Sequence, residues 1–331
     1  MSATVAISVD GEMLTVPSLT IDGKTVVVTG GRLKIASVAD EEFIEGEAVE
    51  QPDAFVEHLR QQRITADIFT FARKQGTATL RVSHFMEWDN AAVISIKSYA
   101  EWLEKLSQDT RRNVRKAAKA GVVLKQMEFS DELVRGISDI YNETPVRQGR
   151  PFWHYGKDLE TVKRENGTFL NRSVFIGAFL KDELIGFLKM VYVERTASIM
   201  QILTKNQHYD KRPANALIAK AVEICGAAGM TALVYCKYIY GKNDESPLTE
   251  FKRRSGFEQV LYARYYVPLT LKGRVALTLR LHHGISGIVP KRLWLLLLGV
   301  RARFYESRKQ RKAIAPMTPC TTGTSKQPGS S

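Results

Sequence analysis

The stretch Ser173–Phe257 constrains this chain more than any other. Two apolar runs, SVFIGAFL (173–180) and ELIGFLKMVYV (183–193), meet at the polar turn Lys181-Asp182-Glu183. Long β-branched and aromatic runs joined by a tight turn predict a buried antiparallel hairpin. A third strand, about Thr196 to Leu203, is expected to run into a basic polar loop, Lys205 to Arg212. Pro213 suits the first turn of a helix, where its missing N–H costs nothing. Leu217, Ile218, Ala221, Val222, Ile224 and Cys225 then recur with helical spacing up to Gly229. A short apolar strand at Ala232 to Cys236 follows, then a helix that ends in Arg254-Ser255-Gly256-Phe257.

The first hundred residues read as a smaller α/β block. Residues 1–22 alternate weakly through Val5, Ile7 and Val9 and predict one or two short strands. Lys24 to Thr29, the pair Gly30-Gly31, and Arg32 to Val38 predict a hairpin. Gly30-Gly31 is read as turn chemistry and not as a dinucleotide site, because no third glycine follows at the spacing a pyrophosphate needs. Gln51-Pro52-Asp53 opens a helix through about Arg63 with Phe55, Val56 and Leu59 on one face. Asp67 to Phe71 predicts a buried strand, and Arg81 to Ile96 two short strands around a turn at Trp88-Asp89-Asn90.

Ser98 to Ala120 predicts one long helix closed by Gly121. Its second half carries Arg111, Arg112, Arg115, Lys116 and Lys119. Cations near a helix C-terminus are either a solvated face favoured by the dipole or an anion-facing surface for a phosphate-bearing substrate or RNA. Asp131 to Tyr141 predicts a helix that leads into NETPVRQGRPFWHYGKDLE (142–160). That loop crowds Glu143, Arg147, Gln148, Arg150, Trp153, His154 and Tyr155 between stiffening prolines and permissive glycines, which points either to substrate contact or to a structural lid without chemistry.

Strand, polar loop, helix with a small-residue face, strand and FKRRSGFE (251–258) resemble the GNAT (N-acyltransferase) superfamily over roughly residues 100–270. RRNVRKAAKAGV (111–122) further resembles the Fem-type peptidoglycan aminoacyltransferases and their bacterial relatives. The resemblance implies an α/β (α+β) fold: a GNAT-like mixed, mostly antiparallel sheet flanked by helices. It implies a degenerate GNAT-like subdomain at 1–97, an acyltransferase domain at 98–285, and a basic amphipathic helix with a tail at 286–331. The implied reaction moves an acyl, acetyl or aminoacyl group to an amine of a cell-envelope precursor or glycan. The implied co-substrate is acyl-CoA or acetyl-CoA, with aminoacyl-tRNA as the Fem-type donor, and the acceptor is a small molecule or a lipid-linked glycan.

By the same resemblance a backbone N–H among Ile202, Leu203 and Thr204 polarises the donor carbonyl. Lys205, Lys211, Arg212 and the helix start at Ala214 and Asn215 are expected to hold its phosphates. The loop departs from the family pattern, because Gln207-His208-Tyr209-Asp210-Lys211-Arg212-Pro213-Ala214 contains no glycine. Glu143 and His154 are the candidate bases, and His154 titrates in the useful range unaided. Tyr238 and Tyr240 are the candidate acids, while Arg111, Arg115, Arg147, Gln148, Arg150, Trp153 and Tyr155 are expected to line the substrate site. The alternative of another class is a catalytically inactive GNAT scaffold that binds a membrane partner or RNA.

Charge bears on partners. The net charge is +13, and residues 291–331 hold nine Lys or Arg against the single acid Glu306. The segment 291–312 carries Trp294, Phe304 and a leucine run too short to span a bilayer, which predicts contact with an anionic membrane surface, a helix packed on the core with a basic end, or RNA binding. No secretory signal and no CxxC pair is evident, so the three cysteines read as free thiols in a reducing compartment. The expected location is cytoplasmic, peripheral on the inner face of the bacterial plasma membrane. No metal is expected, since His282-His283 has no third ligand near it in sequence.

Overall fold

The computed structural model describes residues 3–9, 12–62, 64–73, 85–147, 149–240 and 245–283, with Ser8, Val9, Glu12, Met13 and Arg150 described by their backbone alone. The candidate residue Gln148 and the basic segment 291–312 lie outside the described residues.

The N-terminal alternation forms β1 (Ala3–Val9) and β2 (Glu12–Ile21), which pair antiparallel. β3 (Lys24–Thr29) and β4 (Ile35–Val38) follow as the expected hairpin, with Gly30 at φ 92° in its connection. A Cβ at Gly30 would collide with the Leu33 carbonyl, so this turn requires glycine. α1 (Pro52–Gln61) buries Phe55, Val56 and Leu59 beside Phe69 and Phe71 of β5 (Ile68–Arg73). β6 (Phe85–Ser95) corrects the reading of a turn at Trp88-Asp89-Asn90, because the strand runs straight through those residues. Tertiary partners make this possible. Asp89 is buried and accepts from Lys237 and Arg264, and the Asn90 amide brackets the Ile239 backbone.

The long helix expected at 98–120 is two helices, α2 (Tyr99–Lys105) and α3 (Gln108–Lys119). Leu106 turns extended and buries its side chain, and the Ser107 hydroxyl accepts from the Thr110 N–H to start α3. β7 (Val122–Met127) and α4 (Asp131–Tyr141) follow, the latter capped by Ser130. The loop after α4 holds a small hairpin of β8 (Val146–Arg147) and β9 (Arg150–Pro151), then α5 (Leu159–Asn166). β10 (Ser173–Leu180), β11 (Glu183–Val193), β12 (Thr196–Thr204), α6 (Pro213–Ala227) and β13 (Ala232–Val234) form the unit expected from the sequence. α7 (Pro247–Arg254), β14 (Glu258–Pro268) and α8 (Leu271–Thr278) complete the described fold.

Twelve strands form one sheet in the order β1-β2-β3-β4-β5-β14-β6-β13-β12-β11-β10-β7. The sheet is mixed and mostly antiparallel, with β4–β5 and β12–β13 as its parallel pairs. β14 joins the two ends of the chain by pairing with β5 on one side and β6 on the other. Alternation along β10 and β11 sends Ile176, Leu188 and Met190 to α6, and Phe175 and Phe187 to α4. Among the described residues no helix is long and apolar enough to cross a membrane.

Candidate active site

The ladder between β12 and β13 is short. It pairs Thr196, Ala197 and Ser198 with Ala232, Leu233 and Val234, and β13 then stops. β12 continues for six more residues, with a bulge at Met200, so its second edge opens into a gap. The Lys205 N–H bonds the Ile185 carbonyl of β11, and the Arg147 guanidinium bonds the Thr204 carbonyl from the other side at 2.9 Å. Alternation along the strand therefore turns the N–H groups of Thr204 and Ile202 toward the open edge, and that of Leu203 toward β11. Cys236, held at φ 47° just past β13, puts its Sγ 3.9 Å from the Ile199 carbonyl across the same gap.

The loop between β12 and α6 folds as a 3-10 turn over Asn206–Lys211, and Arg212 at φ 59° leads into Pro213. Glu143 holds the start of this turn. Its carboxylate accepts from the Asn206 N–H at 2.7 Å and the Gln207 N–H at 2.9 Å, and pairs with Arg147 at 3.2 Å. Arg147 also bonds the Ile140 carbonyl and lies over the Phe152 ring. Two candidates from the 142–160 loop thus touch the expected donor loop directly. Its cations are largely compensated. Lys205 pairs with Glu183 at 2.7 Å, His208 pairs with the same carboxylate, and Lys211 pairs with Asp210. Ala214 and Asn215 sit in the first turn of α6, where the Asn215 N–H is taken by the Arg212 carbonyl.

A cavity of about 650 Å³ opens between the N-terminal strands and the β10–β12 part of the sheet. β3, β4 and the turn at Phe43 wall one side, and α4, α5, β11, β12 and the Trp153-His154 turn wall the other. His154 is buried in that wall. Its ring stacks on Trp153 at 3.5 Å and lies tilted against Tyr141 at 4.0 Å, and its Nε2 lies 2.9 Å from the Gln201 amide nitrogen. The Tyr141 hydroxyl donates to Gln201 Oε1, which orients the amide so that its nitrogen donates to His154. The ring proton then sits on Nδ1, a buried atom without a hydrogen-bond partner. Burial above all, with Lys157 and Arg147 nearby, pushes His154 down to about 3. The ring is therefore neutral at physiological pH.

Trp153 and Tyr155 are half exposed at the cavity rim, and Lys157 lies under the Trp153 ring while pairing with Glu165. Lys189 is 1% exposed yet lines the cavity. Its ammonium donates to the Asn166 and Thr168 carbonyls and to the Thr168 hydroxyl, and burial pushes it down to about 8. The sequence reading passed over Lys189, although a lysine alone in the apolar run LIGFLKMVYV is a visible signal. It also passed over Gln201, Tyr141 and Asn166, which carry no such mark.

The remaining candidates are not among the cavity's lining residues, although Tyr240 reaches its wall through Cys236. Tyr240 projects over the buried ammonium of Lys252, which bonds the Tyr235 and Lys237 carbonyls and braces the chain after β13. Tyr238 packs partly buried against the main core. Arg111 bonds the Glu104 carbonyl. Arg115 is exposed and forms, with Arg112, Lys116 and Lys119, a basic groove of about 430 Å³ along α3. Lys116 acts on Asp210, so this groove borders the donor loop.

No protein-family model matches the sequence, and no curated protein matches it either. Solved structures do match. FemX aligns over 84% of this chain and 90% of its own, with a TM-score of 0.54 at 11% identity. The chain has the fold of FemX. The C-terminal domain of a lysylphosphatidylglycerol synthetase from Agrobacterium fabrum aligns over 83% and 90% with a TM-score of 0.51 at 14% identity. L-PGS from Bacillus licheniformis aligns over 78% and 86% with a TM-score of 0.52 at 14% identity. Identities this low carry the fold and not the activity.

Proposed function

We propose that this protein is an acyltransferase that passes an acyl or aminoacyl group to an amine held in the cavity lined by Gln201, Lys189 and Trp153. The open edge of β12 carries the proposal. Two adjacent outward N–H groups, those of Ile202 and Thr204, face a gap that no strand fills. A donor carbonyl lying there would meet preorganised hydrogen-bond donors where negative charge develops in the transition state. The acceptor nitrogen would attack the carbonyl carbon and form the new C–N bond. The C–S bond of a thioester, or the C–O bond of an ester, then breaks, and the leaving thiol or hydroxyl takes up the proton lost by the amine.

In this scheme Glu143 and His154 are positioning residues. Glu143 spends its oxygens on the donor loop, and a ring held near 3 is a weak base at neutral pH. The donor loop has no glycine and its lysines are ion-paired, which favours a donor whose phosphates also reach Arg112, Arg115 and Lys119 on α3. A tRNA acceptor arm spans such a surface more readily than a compact pyrophosphate. The inactive-scaffold reading rests on the same ion pairs. Thermal stabilisation of the full chain by acetyl-CoA, longer acyl-CoAs and aminoacyl-tRNA separates these cases. A true donor at a hundred times its Kd stabilises by about 2.7 kcal/mol. Stabilisation followed by label transfer to an amine supports the proposal, and a protein that none of the three donors stabilises is not this enzyme.

A further inference from the structure

Away from the cavity, the chain brings Glu87 against the adjacent pair His282 and His283, the latter 196 positions away in sequence. Glu87 lies near the start of β6, and His282 and His283 lie in the 3-10 turn Leu281–His283 that follows α8. Arg280, at φ 56°, turns the chain back after α8. Glu87 Oε2 lies 2.6 Å from His283 Nε2, and Glu87 Oε1 lies 3.3 Å from His282 Nε2. One donor atom from each residue falls within 4.8 Å of the other two.

His282 is the telling member. Its side chain is 3% exposed, its ring lies 4.6 Å from the Tyr266 ring, and neither ring nitrogen closes a well-aligned hydrogen bond, although Glu87 and the Ala276 backbone lie close enough to act on it. A buried polar group without a well-formed hydrogen bond is destabilising, and an imidazole must place at least one N–H. An ordinary Glu87–His283 ion pair accounts for two of the residues. It leaves unexplained why a buried second imidazole sits against the same carboxylate at an angle that closes no well-aligned hydrogen bond.

We propose that Glu87, His282 and His283 bind a divalent transition-metal ion of the zinc class. Two imidazoles and a carboxylate are the donor set such ions accept, and three protein ligands leave a coordination position for water. The ion would satisfy His282 Nε2, separate Glu87 from His283 by bridging them, and fasten the segment after α8 to the start of β6. The adjacency of His282 and His283 offers no third ligand in sequence. Glu87 is supplied by the pairing of β6 with β14, which also carries Tyr266 beneath the histidines.

The test uses the untagged full chain, stripped with a chelator and titrated with Co²⁺ and then Zn²⁺. One Co²⁺ per chain is expected, with a visible ligand-field band that Zn²⁺ displaces. His283→Ala and Glu87→Gln are each expected to weaken binding about tenfold or more, since even outer-shell changes at metal sites cost 10–100-fold. Both residues are at least a third exposed or close to it, and circular dichroism checks that the variants fold. A wild-type chain that takes up no stoichiometric Co²⁺ overturns the proposal, as do two folded variants that bind as tightly as wild type.

Discussion

Glu143→Ala tests whether this carboxylate organises the donor loop or acts as a base. The side chain is 13% exposed and accepts from two backbone N–H groups and one guanidinium. Hydrogen bonds to a charged group contribute about 1.5–3 kcal/mol each, and removing one partner of a buried pair costs about 3–5 kcal/mol. Arg147 keeps the Ile140 and Thr204 carbonyls, and the freed N–H groups regain some water as the turn relaxes, which pulls the net cost down. The expected loss is about 3 kcal/mol in equilibrium urea unfolding, at unchanged m-value. Donor affinity should fall with it, because the 206–211 turn loses its anchor. A base that does no structural work would instead leave stability and donor affinity intact and abolish turnover alone. Wild-type stability in Glu143→Ala would refute the anchoring role.

His154→Phe keeps a ring against Tyr141 and removes a titrating group. The folded ring is held near 3, while an unfolded histidine titrates near 6.5. Between those values the unfolded chain takes a proton that the folded chain refuses, so wild-type stability falls as pH drops from about 6.5 toward 3. At pH 4 this amounts to about 3 kcal/mol, and the variant should lose that part of the acid limb. Identical acid limbs by urea unfolding would refute the buried neutral ring. Lys189→Met removes an ammonium that serves three acceptors, takes the donor from the Asn166 carbonyl and leaves the Thr168 carbonyl with the Ser173 hydroxyl alone, at an expected cost of about 2–4 kcal/mol. A shift below about 1 kcal/mol in the same assay would mean that this lysine does not brace the turn after α5.

Much of the fold was legible because side-chain periodicity is local. The runs at 173–180 and 183–193 state their own strands, and Ser130, Pro213 and Gly229 mark helix ends through short-range backbone chemistry. The errors share a cause. Asp89-Asn90 is turn chemistry in sequence, yet Lys237, Arg264 and the Ile239 backbone make it strand interior. Ser98–Ala120 has one helical period, yet burial of Leu106 and the Ser107 cap divide it.

For the site, the 142–160 loop announced itself by density of polar and aromatic residues, and Lys189 could have been noticed by its apolar surroundings. What each residue does was not written there. Glu143 reads as a free acid until the turn at Asn206 lands on it, and His154 reads as a ready base until Tyr141 and Gln201 enclose it. The sequence by itself determined the strands β10 to β12, the helix α6 and the basic loop that precedes it. Strand order decided the rest, because the β12–β13 gap, the burial of His154 and the meeting of Glu87 with His282 and His283 all depend on residues far apart in the chain. Charge and hydrogen bonding act over a few ångströms of space, and sequence separation carries no record of that distance.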